Sequence, residues 1–230
     1  FSYYKKQQYK NIDRGDTKKT DVKSTQVIPK IIYKTGIDDY RNIHDDVYNV
    51  FSETIKLNPE FKINYYSDKD SRDFIKNNFE SEILLTYDKL IPGAYKADLF
   101  RYCILYKNGG IYSDLTQRFT IPFNKLIDLE KDNLYLVKDI EHYKINGDGS
   151  SKGIQISFMA SRPGNEIFLK AIKQIVKNVN DKFYGDNPLH PTGPTLFYNI
   201  LQDYKGEYKM ELKETGKNKI INNKGETVII

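Results

Sequence analysis

The chain has no tryptophan, one cysteine and two methionines in 230 residues, and six of its 36 basic residues are arginine. A single thiol, Cys103, excludes an intrachain disulfide and any metal site built on several cysteines. It falls on an apolar helical stripe, the place of a buried, inert thiol. The three histidines, His44, His142 and His190, lack metal-ligand spacing, so no zinc site is expected. His190, beside Pro191-Thr192-Gly193-Pro194, is expected in a structural or surface role, and is the one of the three with the alternative of entering a pocket. No run of about 18 apolar residues occurs, so no segment is expected to span a membrane. Gly-x-Gly-x-x-Gly, Walker and Gly-x-Ser-x-Gly motifs are missing. No window gathers five basic residues among aromatics. The net charge of +5 therefore describes scattered surface lysine, and nucleic acid is not an expected partner.

What is present is globular: 39% hydrophobic and 13% aromatic residues, the aromatics being 19 Tyr and 12 Phe. The excess of Lys, Asn and Ile points to an AT-rich source, such as a large virus or low-GC microbe. Residues 1–25 are polar, Lys-rich and without apolar period, which predicts an N-terminal arm or linker. Residues 26–230 are expected to form a single domain. The chain begins at Phe1, which suggests that something upstream was removed or left out. A signal or anchor there would place the domain in a secretory-pathway lumen, and otherwise the cytoplasm is expected.

Apolar runs predict strands at 27–33, 61–66, 111–115, 134–140 and 154–160. Helical spacing marks 45–57, 69–79, 83–90, 94–108, 166–179 and 195–203, with Ser67-Asp68 capping the second of these. Residues 122–129 read as a helical turn, 147–153 as a flexible glycine-rich loop, and the tail as polar with a short apolar end at 227–230. Strands alternating with helices in the first half predict an α/β sandwich on a mainly parallel sheet. Ligands bind such sheets beyond the carboxyl ends of the strands, and Lys34, Asp68 and Asp114 all lie there.

The segment from Ala94 to Thr116 concentrates the chemistry. It reads as one helix, a Gly109-Gly110 stop and a short strand ending on a carboxylate. Asp98 and Arg101 are three apart and share a helical face. They form either a surface ion pair or an acid and a planar cationic fork suited to a diphosphate. Asp114 is either a turn former or, with a second oxygen two residues on, part of a divalent-cation site. That second position is Thr116, which offers one neutral oxygen and no charge.

These segments resemble glycosyltransferase family 32, the group with a DxD sugar-binding motif, and more distantly the glucosylating clostridial toxin domains. The matching stretches are IPKIIYKTG at 28–36, NPEFKINYYSD at 58–68, YDKLIPGAYKADLFRYCILYKNGGIYSDL at 87–115, ISFMASRPGN at 156–165 and HPTGP at 190–194, in family order over about 28–200. The resemblance implies a GT-A fold: a Rossmann-like nucleotide-sugar-binding domain whose central sheet is flanked by helices. It implies a retaining hexosyltransferase using a UDP- or GDP-linked donor, Mn²⁺ or Mg²⁺, and a glycan, protein or lipid acceptor. By position Asp98 should bind donor sugar hydroxyls and Arg101 the sugar or diphosphate. Tyr112 and Asp114 should lie at the ribose, with Asp114 also at the metal. Tyr33, Lys34 and Thr35 should border the base, and Thr116 stands at the second metal-binding position of the motif.

The chain departs from the family pattern at Thr116, where the second acid is usual. It departs again at Lys34-Thr35, where a Trp is usual, at Ile156, where a polar residue is usual, and in the tail. The resemblance makes Asp98, Arg101 and Asp114 the catalytic set, with Arg101→Ala expected to abolish transfer and leave the fold intact. The alternative is a catalytically degenerate module that binds a nucleotide sugar or glycan. A metal-independent version would put Lys34 or Lys96 in place of the cation.

Overall fold

The computed structural model describes residues 11–22, 27–140, 142–143, 150–215 and 219–230. Residues 147–149 of the expected loop at 147–153 and part of the expected arm lie outside them, as does the side chain of His142. In chain order the elements are β1 (Ile12–Arg14), β2 (Ile31–Gly36), α1 (Asp45–Leu57), β3 (Lys62–Ser67), α2 (Asp68–Asn78), α3 (Ser81–Lys89), α4 (Gly93–Asn108), β4 (Gly110–Ser113), β5 (Leu134–Lys138), β6 (His142–Tyr143), β7 (Ser150–Ser151), β8 (Ile154–Ser161), α5 (Glu166–Asn180), α6 (Pro194–Gln202), β9 (Lys209–Glu214), β10 (Ile220–Ile221) and β11 (Thr227–Ile229). Short 3-10 helices occupy Tyr40–Asn42 and Phe123–Lys125, the second being the turn expected at 122–129.

Side-chain alternation dictates the layering. Ile32, Ile111 and Phe158 from β2, β4 and β8 enter one buried cluster, with Phe51 and Ile55 of α1. Their neighbours Tyr33, Tyr112 and Met159 enter the other, with Leu99 and Cys103 of α4, Ile172 of α5 and Phe197 of α6. A sheet apolar on both faces must be covered on both. Cys103 is fully buried, and burial pushes its thiol pKa up, so it is the inert thiol the sequence predicted.

The main sheet has nine strands in the order β1-β3-β2-β4-β8-β5-β9-β10-β11. It is mixed, which corrects the expectation of a mainly parallel sheet. Strands β1, β3, β2 and β4 are parallel, and so are β5 and β9, but β8 runs antiparallel to both β4 and β5. The reason is local. Parallel neighbours need a crossover, usually a helix. Helices precede β3, β4 and β9, but among the described residues none longer than one 3-10 turn lies between β4 and β8.

Two segments read as irregular join the sheet. Within the expected arm, Ile12–Arg14 pairs with β3, and Arg14 Nε donates to the buried Asp70 Oδ1 at 2.8 Å. Asp70 also completes the capping box with Ser67 that starts α2. In the tail, Met210 and Leu212 alternate with charged residues in β9, which pairs with β5. Strand β11 folds back onto the segment after Asp114, where Arg118 and Ile230 exchange two backbone hydrogen bonds of 2.9 Å and Thr120 N donates to Val228 O at 3.1 Å.

The exit from α4 requires glycine. Gly109 has φ +61° and Gly110 φ +97°, and a Cβ on Gly110 would lie 2.8 Å from the Ile31 carbonyl oxygen. The buried Tyr33 ring lies 2.9 Å away as well, so the Cβ would meet a backbone oxygen and a packed ring. Gly110→Ala is expected to destabilise the fold by about 2 kcal/mol or more. Denaturant unfolding checks this, and an unchanged midpoint refutes it.

Candidate donor-binding site at the end of β4

Helix α4 places its polar pair in an unusual setting. Every residue from Asp98 to Leu105 is buried, so the helix has no solvent face over that stretch. Asp98 and Arg101 therefore form a buried ion pair, Asp98 Oδ1 lying 3.2 Å from Arg101 Nη2. This removes the surface-pair alternative. The Thr192 hydroxyl donates to Asp98 Oδ2 at 2.7 Å. Burial pushes the Asp98 carboxyl pKa up, and the Arg101 charge and the Thr192 bond oppose that shift.

The Arg101 guanidinium is engaged on all sides. Nη1 donates to the Ile156 carbonyl of β8 at 2.5 Å, Nη2 lies 3.5 Å from Asp114 Oδ1, and the guanidinium carbon sits 4.4 Å from the Tyr112 ring centroid. Burial pulls the guanidinium pKa down, but Tyr112, Asp114 and Asp98 more than reverse this, and Arg101 stays charged. Its side chain is 6% exposed.

Asp114 is presented differently. Its side chain is 45% exposed, and among the described residues no hydrogen bond reaches its Oδ2. The backbone holds it: Asp114 N donates to Ser157 O at 2.8 Å, and Gln117 N donates back to Asp114 O at 3.2 Å. Gln117 fastens the turn by accepting from Ser113 Oγ at 3.0 Å and donating to Ser157 Oγ at 2.8 Å. Thr116, at the crown of this turn, is exposed.

Of the residues singled out in the sequence, Asp98, Arg101, Tyr112 and Asp114 come together. Thr35 joins them through a 3.1 Å bond between its hydroxyl and that of Tyr112. Tyr33 does not join. Its ring packs 6.3 Å from that of Tyr66, and its hydroxyl partner is Asn108, at the far end of α4 from Asp98. Lys34 does not join either. It is fully buried on the opposite face, 5.6 and 5.9 Å from the rings of Phe51 and Phe119. There Nζ reaches Ser113 Oγ at 3.1 Å and the Asp114 carbonyl at 2.8 Å. Burial lowers its pKa from 10.5 to about 7, against the pull of Asp114. Lys96 lies 5.4 Å from the Tyr87 ring centroid. His190 lines a separate cleft of about 630 Å³, its Nδ1 accepting from Asp186 N at 3.2 Å.

Sequence reasoning missed Thr192, Gln117 and Ser157. Thr192 stood inside the HPTGP stretch, but only the fold brings it across 94 positions to Asp98. Among the described residues no group of three His, Cys, Asp or Glu forms a ready-made metal cage. The chemistry still fits a hard divalent cation, which is commonly held by one carboxylate together with water and substrate phosphates. Asp114 has a free oxygen, and Thr116 adds a neutral one. Asp98, Asp114 and Arg101 sum to one negative charge.

Residues 44–133 match the family model described as the glycosyltransferase sugar-binding region containing the DXD motif. An uncharacterized glycosyltransferase of Acanthamoeba polyphaga mimivirus is 30% identical over 179 residues, covering 77% of this chain and 66% of that one. The chain belongs to the DXD-motif glycosyltransferases. Another relative in the family, inositol phosphoceramide mannosyltransferase 3 of Schizosaccharomyces pombe, is 28% identical, covering 76% of this chain and 44% of its own. The chain thus spans two thirds or less of these relatives. The solved structure of PaToxG glycosyltransferase superposes with a TM-score of 0.54 at 19% identity, covering 76% of this chain and 69% of that one. The fold is of the GT-A type, as expected from the sequence, but with the mixed sheet described above.

Two outcomes check the site. Arg101→Ala leaves the buried Asp98 carboxylate, and beside it the half-exposed Asp114, without their counter-ion, and is expected to cost about 3–5 kcal/mol of stability. The sequence alone predicts an intact fold for the same variant; the burial of the pair replaces that with an expected loss of stability. An unfolding midpoint equal to the parent's refutes it. The second concerns Lys34. Between pH 7 and 9 the unfolded chain keeps a Lys34 proton that the folded chain has given up, so raising pH favours the fold. The parent is expected to gain stability in that window, by up to about 1.4 kcal/mol per pH unit, relative to Lys34→Met. Parallel stability curves for the two proteins refute a depressed Lys34.

Proposed function

We propose that this chain transfers a hexosyl group from a UDP- or GDP-linked sugar to an acceptor hydroxyl, with retention of configuration. The observation that carries this reading is the joining of Asp98, Arg101, Tyr112 and Asp114 at the carboxyl end of β4, in a chain of the DXD-motif family. The likeness to the inositol phosphoceramide mannosyltransferase of Schizosaccharomyces pombe supports mannose as the sugar and a lipid-borne acceptor.

Each residue has a task that its geometry suits. Asp98 has two of its acceptor sites taken, by Thr192 and Arg101, and offers the remaining lone pairs to donor sugar hydroxyls. Arg101 is a positioning residue in this scheme. It holds both carboxylates and places a fixed positive charge behind the departing diphosphate, where preorganised charge is most effective. Tyr112 and Thr35 form the wall toward the nucleoside. Asp114 and the Thr116 hydroxyl would hold a divalent cation, which neutralises charge on the leaving diphosphate when bound. The acceptor hydroxyl attacks from the face the leaving group quits and passes its proton to a diphosphate oxygen.

One observation favours a second reading, a module that binds a nucleotide sugar without turnover: the exposed Thr116 supplies no charge where the motif's second acid would stand.

Nucleotide release from a panel of UDP- and GDP-sugars, with and without Mn²⁺, separates the two. Release sinks the binding module, and binding without release sinks the transferase. Asp114→Asn is expected to lower turnover by about 100-fold or more. Thr116→Asp is expected to tighten Mn²⁺ binding about tenfold, read by calorimetry on the protein alone. Unchanged Mn²⁺ affinity in Thr116→Asp removes the cation from this turn.

A further inference from the structure

Beside the donor site lies an apolar surface that the proposed reaction does not use. The loop entering α4 exposes Ile91, 91% accessible, followed by exposed Pro92, Gly93 and Ala94. The turn after α5 exposes Tyr184, 80% accessible, and Phe183, 41% accessible. These two loops are neighbours. Ile91, Tyr95, Phe183, Tyr184 and Thr192 line one cleft of about 250 Å³. Thr192 is also the residue that donates to Asp98, so the cleft and the site share a wall.

The charges around the cleft have one sign. Lys89 and Lys182 line it, both are exposed, and neither makes an ion pair among the described residues. The nearest acids in the sequence are already engaged: Asp88 with Arg72, Asp181 with Lys177, and Asp186 with His190. Lys182 also holds a conformation that glycine usually takes. Helix α5 ends in a Schellman turn, with Phe183 N donating to Asn178 O and Lys182 N to Val179 O. Lys182 sits at its left-handed position with φ 54°, the one non-glycine residue with positive φ among those described. A strained lysine at the tip of an exposed aromatic turn adds charge where a glycine would have relaxed the backbone.

Large exposed apolar tips beside lysines that make no ion pair among the described residues match the composition of a surface that rests at a lipid–water boundary. We propose that the Ile91 and Tyr184 loops dock this chain on an anionic bilayer. The apolar tips enter the boundary and Lys89 and Lys182 meet the lipid phosphates. On the transferase reading above, this sets the donor site over the membrane and makes lipid-borne hydroxyls its acceptors; the docking itself does not depend on that reading.

Co-sedimentation with vesicles of phosphatidylcholine alone, or of phosphatidylcholine with phosphatidylserine, tests the docking without any catalysis. The parent chain is expected to sediment with the anionic vesicles and much less with the neutral ones. Ile91→Ser combined with Tyr184→Ser, and separately Lys89→Gln combined with Lys182→Gln, are each expected to weaken that binding about tenfold or more. All four side chains are exposed and outside the donor site, so thermal unfolding and nucleotide release in solution should match the parent. The proposal is overturned if the parent ignores anionic vesicles, or if both double variants bind as the parent does. It is also overturned if the parent instead forms a concentration-dependent dimer that the Ile91/Tyr184 variant abolishes, because a second copy then covers the face. Nucleotide release that fails while vesicle binding holds would count against the transferase and leave the docking standing.

Discussion

One buried cation fixes the relation between the parts of this molecule. Arg101 sits in a helix that has no solvent face around it, so its guanidinium must find partners inside the protein. It finds them on three elements: Asp98 on its own helix, Asp114 beyond β4, and the Ile156 carbonyl of β8, with the Tyr112 ring beneath. The helix, the strand end and the antiparallel strand that interrupts the sheet are thereby referred to a single point. The cost of burying that charge is offset only while all these partners are in place.

Asp114 is held from both faces of the sheet by basic side chains of different kinds. Arg101 approaches its carboxylate from the helical side, while Lys34 grips its carbonyl from the opposite face, beneath Phe51 and Phe119. The acid is half exposed, yet its backbone is pinned on both sides and in the Gln117 turn. That combination, mobile neither in backbone nor in direction but open to solvent at one oxygen, is what a site for a small charged ligand requires.

The central cluster was legible because its determinants are local. The spacing of Asp98 and Arg101, the Gly109-Gly110 stop and the strand ending at Asp114 all lie within 17 consecutive residues, 98–114, and helix and strand geometry relate them. Lys34 and Tyr33 were placed at the right strand end, but alternation sends Lys34 to the far face, and Tyr33 is spent on Asn108 and Tyr66. Thr192 was not legible as a partner of Asp98, since its contact is made by the packing of distant segments. The sheet's mixed character escaped for a similar reason: the strands at 134–140 and 154–160 were visible, but their order and direction depend on pairings across the fold. The tail looked polar because β9, between β5 and β10, buries only alternate residues.

Strand β11 has a consequence for how the protein is made. Its residues pair with Arg118 and Thr120, more than a hundred positions earlier, directly after the turn that carries Asp114 and Thr116. A contact of such sequence separation forms late, because closing a long loop precedes its reward. During synthesis the helix and strand that carry Asp98, Arg101 and Asp114 are complete long before residues 227–230 leave the ribosome. The nascent chain therefore holds all the charged groups of the site while the turn that presents Asp114 still lacks its brace. The ribosome thus delivers the chemistry first and the geometry last.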